Sequence, residues 1–358
     1  MLKQYLASIA LLLCLISNAQ DFTSIWNTAN IESASSLDNE IKIPTNPAFT
    51  NYNYTIDWGD GQIDTGVTGD ITHIYATPGL YTISIGGTFP SIYFNDENAN
   101  DKLKIIEILQ WGAIEWQTME NAFYGCENLN FDAIDAPDLS NVTSLKDMFR
   151  RCTVFNGIVN NWDVSTITNM SGLFHDARIF NRPLDNWNTS AVTDMSFTFQ
   201  SASVFNEPLD NWNTGAVTNM SGMFRSAGSF NQNINNWNVA QVTNMSSTFE
   251  NTNRFNFPLN NWNVSNVTDM ASMFNSSGFN QPLNTWDVSN VTNMSRMFGQ
   301  NVFNHPIENW NVSNVTDMSF MFYRHRTFNQ PLNNWDVSNV TNMASMFDGW
   351  IWLSLIHI

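Results

Sequence analysis

One tryptophan recurs through most of this 358-residue chain, at Trp162, Trp187, Trp212, Trp237, Trp262, Trp286, Trp310 and Trp335, in steps of 24 or 25 residues. A unit that short cannot bury its own apolar face, so each copy must stack on its neighbours. The unit reads F-N-x-P-L-x-x-W-x-V-S-x-V-T-x-M-x-x-x-F and is clear at WNVSNVTDMASMFNSSGF, residues 262–279. Trp111, Met119 and Phe123 carry the same offsets as Trp262, Met270 and Phe274, and the next unit has Pro137 in place of the tryptophan but keeps Leu139, Val142, Leu145 and Phe149. Counting these two as sealing units gives about ten coils of 24–26 residues between 101 and 350.

Within a coil, Leu259, Trp262 and Val264 have L-x-x-L-x-L offsets. Trp262 and Val264 are two apart and predict one side of a short strand. Val267, Met270 and Phe274 follow at helical spacing, which predicts one or two helical turns begun by Thr268 as cap. The expected fold class is therefore an α/β solenoid. Apolar companions three before and two after each Trp make the Trp column a predicted core. The polar residue following each Trp then faces outward. This row, Asp163, Asn188, Asn213, Asn238, Asn263, Asp287, Asn311 and Asp336, is the candidate binding face. A second row, Asn156, Asn181, Asn206, Asn231, Asn256, Asn280, Asn304 and Asn329, reads as turn-satisfying amides stacked from coil to coil in preference to a ligand-binding row. Cys126 and Cys152 hold equivalent positions in neighbouring coils and read as small buried thiols, with a disulfide geometrically open to them.

The chain begins with Lys3, an apolar run from Leu6 to Ile16, then Ser17 and Ala19, the pattern of a signal peptide over 1–19. Residues 20–100 read as a small β-sandwich: Tyr52, Tyr54 and Ile56 alternate with polar residues before Trp58-Gly59-Asp60-Gly61, and Thr77-Pro78-Gly79 precedes a second alternating run, Leu80 to Ile85. Asp21 to Glu40 looks polar and weakly patterned. His73 reads as a packed strand histidine. Residues 351–358 depart abruptly from the repeat and read as an aberrant or truncated tail.

WGDG at 58–61, HIY at 73–75 and PGLYTISI at 78–85 together resemble the PKD family of immunoglobulin-like sandwiches, whose members commonly act as spacers or interaction modules. The repeats, nearly verbatim at 279–298 and 333–347, resemble the BspA-like leucine-rich repeat of bacterial surface proteins, once described as a mycoplasma domain of unknown function. MENAFYGCENL at 119–129 is similar to that family's A-F-x-x-C-x-x-L variant. The resemblance implies an exported or surface protein, some members being associated with adhesion, and it brings no catalytic residues with it.

Fourteen Lys and Arg against 32 Asp and Glu give a net charge of −18, which argues against nucleic acid and against anionic lipid. No nucleophile, base and acid occur together, since His73, His175, His305, His325 and His357 fall at non-equivalent positions. No cofactor is expected; the Asx-rich face and Asp57, Asp60 and Asp64 leave calcium only as a weak option. The reading is a non-enzymatic protein, secreted or on a bacterial cell surface, with no transmembrane segment after signal cleavage. It would bind an extracellular or host-matrix protein. The alternative is a surface-glycan-binding or structural envelope component, and an exposed Trp column would favour the glycan.

Overall fold

In the computed structural model the described residues are 21–32, 35–95, 101–131 and 133–349. The signal-peptide stretch 1–19 and the tail 351–358 lie outside them. The chain forms two compact units, Met1–Thr166 and Ile167–Ile358.

The first unit contains eight described strands: β1 (Phe22–Asn27), β2 (Glu40–Ile43), β3 (Asn53–Asp57), β4 (Ile63–Val67), β5 (Ile71–Ile74), β6 (Leu80–Thr88), β7 (Ile105–Gln110) and β8 (Asn130–Phe131). Six form one sheet in the order β4-β3-β6-β1-β7-β8, and β2 pairs with β5 in a second. Alternation builds the core, as in β3, where Tyr54 and Ile56 are buried between exposed neighbours. The turn after β3 is held by its own carboxylates: Asp57 accepts from the Gly59 amide and Asp60 from the Gln62 amide. Gly59 lies at φ +76°, and a Cβ there would collide with the Thr82 carbonyl oxygen, so the turn requires glycine.

This arrangement corrects the expected PKD-like sandwich over 20–100. The stretch read as weakly patterned holds β1, an interior strand of the sheet. Its Phe22, Ser24 and Trp26 point inward, and the polar Ser24 is tolerated because it accepts from the Trp26 indole at 2.9 Å. β1 pairs with β6 on one side and β7 on the other, and β7 pairs in parallel with β8. The sheet thus runs past residue 100 into the first coils instead of closing as a separate sandwich.

Behind it lies a buried ion pair. Lys104 and Asp101 are both fully buried, with Nζ 3.2 Å from Oδ1. The ammonium also donates to the carbonyls of Ser36, Leu37 and Glu40 at 2.8–3.1 Å. Asp101 accepts from the Ser36 hydroxyl and from the Ser36 and Lys42 amides at 2.7–2.9 Å. All the donors and acceptors that burial would orphan are thereby met.

In the second unit each coil passes its backbone bonds to the next. The N–H groups of Met270, Ser272, Phe274 and Ser276 donate to the carbonyls of Asn293, Ser295, Met297 and Gly299 at 2.8–3.0 Å. Between them, Met273, Asn275 and Ser277 donate three residues back within their own coil. Ser272 and Ser276 take φ of 57° and 54°, and the equivalent positions repeat this in other coils.

These bonds overturn the expected helical turns. Among the described residues there is no helix, because amides that a helix would bond four residues back are committed to the neighbouring coil. Apolar positions three and four apart are met equally by successive tight turns with left-handed residues between them. The expected strand at Trp262–Val264 is absent as well: the one bridged residue per coil lies further on, in the row Asn169, Asp194, Asn219, Asn244, Asp269, Asn293, Asp317 and Asn342. The α/β solenoid expected from those offsets therefore gives way to an all-β repeat, and the BspA-like leucine-rich assignment falls with it.

Candidate functional site

The tryptophans occupy the interior. Trp162 in the first unit and Trp187 to Trp310 in the second are 3–4% exposed, while Trp335 is half-buried. Trp212, Trp237, Trp262, Trp286, Trp310 and Trp335 each donate the indole N–H to the carbonyl of the Leu or Ile one coil back, at 2.9–3.1 Å. That carbonyl also accepts the backbone amide of the Trp three residues later in its own coil, as with Leu209 and Trp212. The L-x-x-W spacing therefore serves one acceptor with two donors. Trp187, Trp212, Trp237 and Trp262 stack nearly parallel, with successive centroids 6.2–6.5 Å apart. Two phenylalanine columns run beside them, for example Phe199, Phe224 and Phe249, at 5.6–5.8 Å.

The row after each Trp is exposed throughout: Asp163 in the first unit, then Asn188, Asn213, Asn238, Asn263, Asp287, Asn311 and Asp336 in the second. Each gives one oxygen to the amide two residues on, at 3.0–3.2 Å. These are Asx turns built on exposed side chains. Hydrogen bonds from the Ser165, Ser289 and Ser338 side chains and amides hold Asp163, Asp287 and Asp336 below the usual carboxylate range.

Sequence reasoning missed the row that does the bridging. Asn169, Asp194, Asn219, Asn244, Asp269, Asn293, Asp317 and Asn342 also cap the amide two residues on, as Asp269 does for Ala271 at 2.8 Å. In the second unit no two successive coils both place Asp there, which keeps like charges from sitting one coil apart. Asn342 donates to Asp317 at 3.1 Å. Against burial, the Ser319 hydroxyl and amide and that Asn hold Asp317 below its ordinary value. Beside this row Thr193, Thr218, Thr243, Thr268, Thr292, Thr316 and Thr341 each donate both amide and hydroxyl to the Thr carbonyl one coil back. The residue expected to cap a helix builds an inter-coil ladder instead. The V-T-[ND]-M signature was the available signal.

The asparagines after the second Phe also form a ladder. Oδ1 of Asn181, Asn206, Asn231, Asn256, Asn280 and Asn304 each accepts the backbone amide of the next Asn, at 2.8–3.1 Å. Cys126 and Cys152 are free and buried, and burial pushes both thiols well up. The Cys152 thiol contacts the Phe123 carbonyl at 3.1 Å.

The equivalent position in the second unit runs Ala177, Ala202, Ala227, Thr252, Ser277, Asn301 and His325, an interior file that turns polar. Thr252 and Ser277 hydroxyls meet at 3.2 Å, and Asn301 donates to the carbonyls of Phe274 and Ser277. His325 accepts the Phe328 amide on Nδ1, its Nε2 has no partner, and burial depresses its pKa to about 4.

His73 stacks on Trp58 at 4.7 Å and bonds Asp60 at 2.9 Å, while the Trp58 indole donates to Asp64. Asp60 and Asp64 are thus engaged within the first unit. No group of three His, Cys, Asp or Glu is placed to hold a metal among the described residues. No helix of the described residues is long and apolar enough to cross a membrane.

These features define a repeat-built, β-rich protein with a general structural or binding role. The chain belongs to the family described as Mycoplasma protein of unknown function, DUF285, whose profile matches residues 117–216, 205–300 and 259–351. No curated protein and no solved structure matches it.

Proposed function

We propose that this is an exported, non-enzymatic protein that binds other proteins, extracellular or host-matrix, along the row of exposed Asx residues following each Trp. One observation carries the reading. In the second unit seven such residues recur once per coil, each fixed by its own turn and exposed to solvent. A row of pre-oriented side chains binds with little ordering cost, which suits a large, flat partner. The Lys3-to-Ala19 pattern supports export. Glycan recognition loses its main motivation, because the tryptophans that would stack on sugars are buried.

Asn213 and Asn263, two coils apart, changed together to Asp keep each turn acceptor and replace the amide nitrogen by a second carboxylate oxygen without setting like charges in successive coils. Capture of matrix proteins should fall while the melting temperature changes little. Unchanged capture, or binding restricted to a glycan array, would sink the proposal.

A further inference from the structure

We infer that the surface formed by Arg296, Phe320, Tyr323 and Arg324 is a docking site for an acidic peptide segment. The inference deepens the protein-binding reading and rests on it.

The backbone supplies the first argument. Arg296 and Phe320 occupy the same position in successive coils, with φ of 57° and 56°. Other coils of the second unit place Gly172, Gly222, Ser247, Ser272 and Ser345 there. Arg324, at φ 50°, stands where the other coils of the second unit use Asp176, Ser201, Ser226, Asn251, Ser276, Gln300 and Gly349. Bulky L-residues are uncommon in this region, and such outliers gather where side chains have work other than folding. Two bulky left-handed residues also pack over a glycine one coil on, since an added Cβ at Gly222 would meet the Phe197 ring at 2.5 Å and one at Gly349 would meet the Arg324 Cγ at 2.8 Å, which leaves Arg296 and Phe320 as the pair with no glycine beneath them.

Stacking supplies the second. The Arg296 guanidinium lies 4.4 Å over the Phe320 ring and that of Arg324 lies 5.1 Å from the Tyr323 ring, while the two rings meet edge to face at 5.5 Å. A guanidinium placed over a ring and facing no carboxylate keeps N–H donors for a bidentate carboxylate contact. Since each guanidinium already covers a ring face, the geometry favours carboxylates over pyranose stacking.

Charge supplies the third. In a chain with 32 acidic side chains against 14 Lys and Arg, Lys42, Lys104, Arg178 and Arg225 each face a carboxylate. Arg296 and Arg324 are exposed and have no carboxylate within 4.0 Å among the described residues. Arginine and tyrosine are enriched at binding hot spots, and phenylalanine at interfaces generally.

The test uses the full chain and a fluorescent oligoglutamate peptide, with oligoglutamine as control, read by anisotropy at low salt. The wild type should prefer oligoglutamate by about tenfold or more. Arg296→Ser with Arg324→Ser, which installs the residue type used in other coils, should abolish that preference without lowering the melting temperature. Arg→Lys at both positions keeps the charge, loses the fork and should fall between. Equal oligoglutamate binding by wild type and the double Ser variant would overturn the site. So would tighter binding of oligogalacturonate than of the peptide, or self-association of the chain that the double Ser variant abolishes. If matrix-protein capture through the Asx row persists while oligoglutamate binding fails, this site alone is wrong.

Discussion

The two units solve the problem of a buried core in opposite ways. In the first, nearly every contact is individual: Phe22 meets Trp116 edge-on at 5.5 Å, Tyr75 reaches the Trp58 carbonyl, and Lys104 is buried with Asp101. In the second, a few contacts are made again and again, and the only fully buried titratable side chain among its described residues is His325. A core of unique contacts can absorb an ion pair because the groups around it are specified one by one. A core of columns resists such a group, since the residue above and below is fixed by the same repeat.

Substitutions can break that contrast, beginning with the largest effect. Lys104→Met strands a buried Asp101 and removes the donor from three carbonyls, so it should cost about 3–5 kcal/mol in urea denaturation. Next comes His325. Unfolded, its imidazole titrates near 6.5; folded, near 4. Between those values the unfolded chain binds the extra proton, so His325 lowers stability progressively as pH falls from 6.5 to 4 and has no such effect above that window. His325→Ala, matching Ala177, Ala202 and Ala227, should recover on the order of 2–3 kcal/mol at pH 4 relative to pH 7, measured as the difference between two melting curves. Trp262→Phe leaves the stack but deletes the donor to the Ile234 carbonyl, for a loss of about 1–3 kcal/mol. Asn231→Ala breaks one rung of the amide ladder and should cost about 1 kcal/mol. Ser272→Gly relieves a left-handed serine at the expense of chain entropy, and its net effect should stay under about 1 kcal/mol, detectable only as a small shift in melting temperature.

The comparison also explains what could be read from the chain alone. Columns are legible because recurrence is legible: the burial of Trp212 and the pairing of Asn206 with Asn231 follow from residues that return at fixed intervals. The direction of an amide is not. Val267, Met270 and Phe274 have the spacing of a helix, and nothing in their identity says that the Met270 N–H leaves the coil for Asn293. In the first unit β1 escaped notice because FTSIWN has only two apolar residues among its three inward positions. The pairing of Lys104 with the Ser36 and Glu40 carbonyls joins segments more than 60 residues apart, with no pattern to announce it. Arg296 and Phe320 were visible in principle, as departures from a column that in the second unit is otherwise Gly or Ser apart from Phe197.

The ladders have a further consequence for how such a chain can change in length. Within the second unit each ladder joins one position of a coil to a fixed position of the adjacent coil, whether Trp to Leu or Ile, Asn to Asn or Thr to Thr. Removing one whole period would therefore leave two cut faces that fit each other, while removing half of one would leave none. The family profile can itself be laid along the chain in overlapping frames, at 205–300 and again at 259–351. Length here is counted in coils, and recombination between equivalent points would return a chain whose rungs remain in register.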